Sequence, residues 1–443
     1  QEIFYFSARM EYNTVYQQAK EEIMDNRIEI LPDVFLTSVQ TDKFKTGCFS
    51  VNLLRPMRRE EASANALIPS VLLRGSERWP DIRAISARLD ELYGASVGTL
   101  VRKKGEMQMT GFFADYIEDA LAGEPVFSEV LDFVSHTLLH PKLENGCFRA
   151  DVVRSEKRNL ANAIESRINN KRSYAVSQLL GTMCAGEAYG IARLGELEDV
   201  ERENERSLFA HYNEILAHSR VEIFYMGRKT AADAAEAFRE ALKELPRGVC
   251  TAVGTSVVER AETVREKVET MDVAQGKLAI GLRTGCTAAD EGYPALLMMN
   301  AIFGGGATSK LFTKVREEMS LCYYAGSSVE KFKGVMLVSS GIETANYETA
   351  KKEILNQLEQ CRAGNISDYE FDSAKRYILS ELKSAADSPG RLDDFYIGNA
   401  AAGLDGTLDA LAKKIEDITK QEAAAAAKRL TLDTIYFLKG AEA

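Results

Sequence analysis

The 443-residue chain is 45% hydrophobic and 27% charged, with a formal net charge of −11. This allows large buried cores in two or more domains, and it argues against a nucleic-acid surface, which needs clustered Lys and Arg to displace counterions. Seven cysteines, at 48, 147, 184, 250, 286, 322 and 361, are odd in number and show no C-x-x-C spacing. They predict neither a disulfide framework nor a zinc ribbon, and reduced thiols in a cytosol account for them. No apolar run approaches the ~18 residues of a membrane span. The opening lacks the basic and apolar regions of a signal peptide.

Residues 1–25 fit nothing that follows and read as an N-terminal extension. Ile28 to Leu36 predicts a strand with a turn at Pro32-Asp33, and Phe44 to Leu54 predicts a second strand. The basic run Arg55 to Arg59 reads as a solvated turn. Glu60 to Leu73 is helix-like and is closed by Gly75. Pro69 inside it should kink or shorten that helix, because proline removes an N–H and crowds the preceding turn. Ile82, Ile85, Leu89 and Leu92 recur at helical spacing within Asp81 to Tyr93. A hairpin around Lys104-Gly105 pairs Val97–Arg102 with Met107–Phe113. Helices follow over Glu118 to Leu139, Arg149 to Arg167, Arg172 to Met183 and Asn204 to Leu216, and then a strand over Arg220 to Met226.

The second half repeats this order. Lys277 to Leu282 is a strand. Helices cover Tyr293 to Phe303 and Ser309 to Glu318, a hairpin pairs Cys322–Ser328 with Val335–Ile342, and Tyr347 to Cys361 is a long helix. Phe371 to Leu382 matches Phe148 to Leu160, Glu416-Asp417-Ile418 matches Glu198-Asp199-Val200, and Thr434 to Gly440 closes the unit as Ile223 to Gly227 closes the first. The expected organisation is one domain over 26–245, a linker over 246–274 and a second domain over 275–443. Each would be an antiparallel-rich sheet with helices on one face. The Ala423 to Ala427 run reads as helix-favouring filler.

The stretch Ile302 to Ser328 joins the glycine run Gly304, Gly305 and Gly306 to Leu311, Phe312, Val315 and Arg316, then to Leu321 and Tyr323. A phosphate-binding loop would need Gly-Lys-Ser/Thr where Ser309-Lys310-Leu311 stands. A dinucleotide fingerprint would need glycine at Ser309. With Ser-x-Leu-Phe and seven residues between Arg316 and Tyr323, the stretch resembles the second-domain signature of the insulinase/pitrilysin zinc peptidases. That family includes the mitochondrial processing peptidases and bacterial two-subunit relatives. The resemblance runs from about residue 26 onward. It implies an α+β fold of two homologous α/β sandwich domains facing each other as a half shell, with Arg316 and Tyr323 reaching a substrate peptide. Tyr324 is the fallback for Tyr323.

Active members of the family carry His-x-x-Glu-His on the first helix and a later Glu as third protein ligand. Aligned on Gly75, the histidine positions are Ala66 and Ser70, the base position is Pro69, and the later ligand falls at Ala163. About three protein ligands are needed for a catalytic zinc, so no cofactor is expected in this chain and zinc is expected only in a partner. The four histidines offer little else. His136 and His140 have the spacing of two ligands on one helical face but no acid between them, and His211 and His218 read as surface or packing residues. The resemblance therefore implies a proteolytically inactive subunit of a heterodimeric peptidase, paired with a homologous subunit bearing His-x-x-Glu-His, or forming a homodimer in isolation. Arg316 and Tyr323 would act in trans. A peptide-binding or structural scaffold without catalytic role is the alternative, and a purely structural Arg316 and Tyr323 remain open at this point.

Overall fold

In the computed structural model, which describes residues 26–440, the strands sort into two sheets built to one plan. The segment 1–25 lies outside the described residues. The first sheet holds β1 (Asn26–Leu31), β2 (Val34–Gln40), β3 (Thr46–Pro56), β4 (Ser96–Lys104), β5 (Met107–Ile117) and β6 (Arg220–Gly227), in the order β1-β2-β6-β3-β5-β4. The second holds β7 (Arg265–Met271), β8 (Gly276–Arg283), β9 (Cys322–Glu330), β10 (Val335–Ile342) and β11 (Thr431–Gly440), in the order β9-β10-β8-β11-β7. Strands β4, β5, β3, β6 and β2 thus recur as β9, β10, β8, β11 and β7. The match extends to strand direction: β2 runs parallel to β6 and β7 runs parallel to β11. The chain is α+β, two homologous α/β sandwich units.

The stretch 246–274 is therefore more than a linker. Its last part is β7, the counterpart of β2, with Arg265 registered to Thr434 and Met271 to Gly440. Its side chains are mostly exposed because it forms a sheet edge, and the charged composition that suggested a linker follows from that position. At the other end, Asp33 adopts a left-handed φ of 57° and turns β1 into β2.

Helices in the first half are α1 (Arg59–Leu72), α2 (Ile82–Glu91), α3 (Val126–Leu139), α4 (Ala150–Glu165), α5 (Lys171–Met183), α6 (Glu205–His218) and α7 (Ala231–Ala241). Helix α1 runs through Pro69 to Leu72, so the proline does not shorten it. The expected long helix from Glu118 is broken instead. A single turn, Asp119–Ala122, ends at Gly123 in a left-handed conformation, and Pro125 precedes α3. Asn204 starts α6 with a capping box shared with Ser207, which satisfies N–H groups that have no partner within the helix. In the second half come α8 (Tyr293–Asn300), α9 (Tyr347–Arg362), α10 (Asp368–Ala386), α11 (Pro389–Ala401), α12 (Leu408–Asp417) and α13 (Lys420–Arg429). The alanine run in α13 is core rather than filler, because Ala423, Ala426 and Ala427 are buried where α13 packs on α8 and α9.

Both faces of each sheet are covered, not one. The second face is covered by a helix from the opposite half. Ala175, Leu179 and Met183 of α5 pack against Ala279, Val335, Leu337, Tyr436 and Leu438 of the second sheet. Reciprocally, Leu392, Tyr396 and Ile397 of α11 pack against Val39, Leu54, Met109 and Phe224 of the first. Each buried side chain of this size contributes about 1.5–3 kcal/mol, so the exchange ties the halves into one packed body.

A buried charge cluster reinforces the seam. Lys333, fully buried, pairs with Glu106 at 2.7 Å and with Glu187 at 2.6 Å. Arg283 pairs with Glu187 at 2.6 Å and with Asp433 at 2.7 Å. No helix among the described residues is long and apolar enough to cross a membrane.

Candidate functional site

Helix α1 carries the degenerate motif, and its burial explains what the substitutions do. Ala66 and Pro69 face the core, Ser70 is half-buried, and Ala163 lies exposed on α4, which packs on α1. None of the four carries a carboxylate, imidazole or thiol. Among the described residues, no group of three or more His, Cys, Asp and Glu is placed to hold a metal ion, so these residues do not fit a zinc. The two helices that a metal would bridge are joined another way. Arg74, one turn beyond Ser70, forms an ion pair with the buried Glu156 of α4 at 2.5 Å.

Beneath the same helix runs a polar string that sequence patterning did not single out. Asn65, 1% exposed, donates to Gln108 Oε1 at 2.9 Å and lies 2.8 Å from the His211 ring nitrogen. Gln108 donates in turn to the carbonyls of Ala62 and Arg193. A buried amide without partners costs about 1–3 kcal/mol, so the string fixes how α1 sits on β5 and α6. The only clue in sequence was an Asn and a Gln inside otherwise apolar runs. His211 is a packing residue, and burial pushes its imidazole below the usual range.

The other histidines fall into structural roles as well. His136 Nε2 accepts from the Arg78 backbone N–H at 3.3 Å, and its ring lies 4.7 Å from that of His140. His218 Nδ1 sits 2.9 Å from the Val249 carbonyl. In the basic run, Arg55 is not a solvated residue. It is 3% exposed and holds Glu61 with two hydrogen bonds of 3.0 Å.

The glycine run lies between two stretches of i→i+5 helix, Ala301–Gly305 and Leu311–Glu318. Such π-helical geometry is rare and concentrates at functional sites. Gly304 is pressed onto β9: a Cβ there would lie 2.6 Å from Ser327 Oγ and 2.7 Å from its nitrogen. Gly305 lies against Asn300, and Gly306 faces the Tyr377 ring. Past Glu318 the chain reverses through Ser320, a non-glycine residue held at φ 51°, and enters β9.

Arg316 and Tyr323 both reach solvent. The Arg316 guanidinium lies over the Phe312 ring, 4.6 Å from its centroid, and 3.5 Å from the Glu317 carboxylate. An exposed pair of this kind contributes about 0–1 kcal/mol, so it does not lock the guanidinium away. Tyr323 is 63% exposed. The reason is a β-bulge: Cys322 pairs with Ile342 and Tyr324 with Gly341, leaving Tyr323 opposite no residue on β10. Bulges re-aim side chains and are common beside functional sites. Strand β9 is also a sheet edge, open to an added strand. Tyr324 turns to the α5 face instead and packs under Arg172.

Comparison with known proteins accords with this geometry. Residues 204–378 match the family described as the peptidase M16 inactive domain. The "Probable inactive metalloprotease YmfF" of Bacillus subtilis strain 168 is 32% identical over 409 residues, covering 91% of this chain and 95% of that protein. The crystal structure of a conserved protein from Enterococcus faecalis V583 superposes with a TM-score of 0.85 at 30% identity, covering 94% of this chain and 98% of the other. The peptidase M16 inactive domain from Pseudomonas fluorescens shares the fold, with a TM-score of 0.77 at 16% identity and coverage of 94% and 98%. The chain therefore belongs to the M16, or insulinase/pitrilysin, peptidase family, as an inactive metalloprotease homologue.

Proposed function

We propose that this chain is the non-catalytic subunit of a heterodimeric metallopeptidase, binding peptide and presenting Arg316 and Tyr323 to a zinc site in its partner. Hydrolysis of an amide builds negative charge on the carbonyl oxygen, and donors already aimed at that position lower the barrier. A guanidinium and a phenol are both suitable donors. The observation that carries the reading is the contrast between the two halves. The positions that would hold a metal are Ala66, Pro69, Ser70 and Ala163, whereas both donors stand in solvent beside a free sheet edge. An extended peptide added to an edge strand such as β9 would pass directly over Tyr323.

The test is co-expression with a His-x-x-Glu-His homologue from the same genome, followed by a peptide cleavage assay. The two chains are expected to co-purify, and cleavage is expected to need both. Absence of a complex, or equal turnover by the partner alone, would leave this chain as a scaffold. Stoichiometric zinc in the purified chain alone would overturn the reading outright.

A further inference from the structure

Beside the bulged tyrosine lies a pair of cations without a counterion. Arg172 stands in the first turn of α5, which belongs to the first half, and its guanidinium carbon lies 4.3 Å from the Tyr324 ring centroid. Lys277 stands on β8, in the second half, with Nζ 5.8 Å from the same centroid. The ring lies flat because Gly341, across from it on β10, has no side chain: a Cβ there would collide with the Tyr324 ring. Both charges are thus gathered on one aromatic platform where the halves meet.

Neither cation forms an ion pair with a carboxylate among the described residues. Lys277 donates only to the neutral Gln275 amide oxygen. Glu269 lies two strands away, registered through Leu438, roughly 10 Å at ordinary strand spacing. Its carboxylate is already taken by the Tyr174 and Tyr436 hydroxyls. Burial, and then Arg172, hold the Lys277 ammonium below its usual range, the direction expected of like charges with nothing between them. In a chain of net charge −11, an uncompensated cationic pair in a crease is unusual, and a bound anion would offset its repulsion.

We infer that Arg172, Lys277 and Tyr324 form a subsite that recognises a carboxylate of the bound peptide, next to the residue that would face its scissile bond. The inference rests on the reading of this chain as a peptide-binding subunit and adds a substrate class to it. Tyr324 directly follows Tyr323, so a peptide lying along β9 would bring a group within one or two residues of the cleavage point to this platform. An acidic side chain and a free C-terminal carboxylate supply the same chemistry.

The test uses the purified chain and a short rhodamine-labelled peptide of Ala, Val and Ser in three forms: one internal Glu with an amidated C-terminus, Gln with a free carboxylate, and Gln with an amide. Fluorescence anisotropy gives each Kd at low and at high salt. At least one carboxylate form is expected to bind about fivefold or more tighter than the neutral form, as for charge pairs in partly desolvated sites. Added salt should shrink the difference. The form that gains affinity identifies the source of the carboxylate. The preference should vanish in Arg172→Gln/Lys277→Gln, with circular dichroism unchanged. Salt dependence in the unaltered chain provides a second readout should that variant fold poorly. Equal affinity for all three forms, or a preference that survives the substitutions, overturns this inference alone. Failure of every form to bind overturns it together with the peptide-binding reading.

Discussion

Replacing Lys333 by Met removes one cation from the buried seam and leaves its two acids behind. Lys333 Nζ lies 2.7 Å from Glu106, 2.6 Å from Glu187 and 2.7 Å from the Ser256 carbonyl. Glu187 keeps its pair with Arg283 at 2.6 Å. Glu106 keeps only the Ser256 N–H at 3.1 Å and hydroxyl at 2.9 Å, so the uncompensated charge falls on Glu106. Breaking a buried pair on one side costs about 3–5 kcal/mol, and the surviving bonds place this case near 3. At roughly 2–4 °C per kcal/mol for a cooperative unit of lobe size, the melting temperature should drop by about 6–12 °C in a dye-based thermal scan. Lys333→Met/Glu106→Gln should recover part of the loss, because the stranded charge is gone. Lys43→Ala, which breaks a half-exposed pair with Asp387, should change the midpoint by no more than about 2 °C. A shift for Lys333→Met no larger than that of Lys43→Ala would show that the seam does not hold the halves together as argued.

Other outcomes follow from the same geometry. Tyr323→Phe should lower kcat of the reconstituted peptidase by about tenfold or more, and Tyr324→Phe should change kcat far less, since only the bulged residue faces an open edge; equal effects would contradict the assignment. Gly304→Ala should cost about 1–3 kcal/mol, read as a lower denaturation midpoint, because its methyl must push Ser327 and β9 away. Glu106, Glu187 and Asp433 all titrate below their usual range: burial opposes the shift, and the hydrogen bonds and charges of Lys333, Arg283, Arg265 and neighbouring hydroxyls outweigh it. A depressed carboxylate stabilises the fold above its unfolded pKa and loses that contribution as pH falls through the folded value. Stability should therefore be flat near neutrality and fall below about pH 4.5, with the fall reduced in Glu187→Gln.

The repeat was legible because β3 and β8, the two hairpins and the closing strands carry strong alternating patterns. Strand β7 was not, because an edge strand can be charged on both faces and then reads as a tether. The exchanged helices could not be read either. Leu179 and Ile397 show only that a helix has an apolar face, not whose sheet that face meets. The glycine run, Arg316 and Tyr323 stood out through a family pattern, but the bulge that exposes Tyr323 depends on register with β10. Arg172 and Lys277 are more than a hundred residues apart and share a site only through the exchange of α5. Arg74 and Glu156 illustrate the same limit, since sequence shows which ligands are missing but not the ion pair that joins the helices in their place.

The most direct measurement is turnover of the reconstituted heterodimer with Arg316→Ala in this chain and the partner unaltered. Removal of one donor from a developing oxyanion lowers kcat about 10²–10³-fold, and the exposed guanidinium carries no packing that its loss would disturb. The account predicts that loss with the complex still co-eluting at unchanged stoichiometry. Unchanged kcat in an intact complex would contradict it.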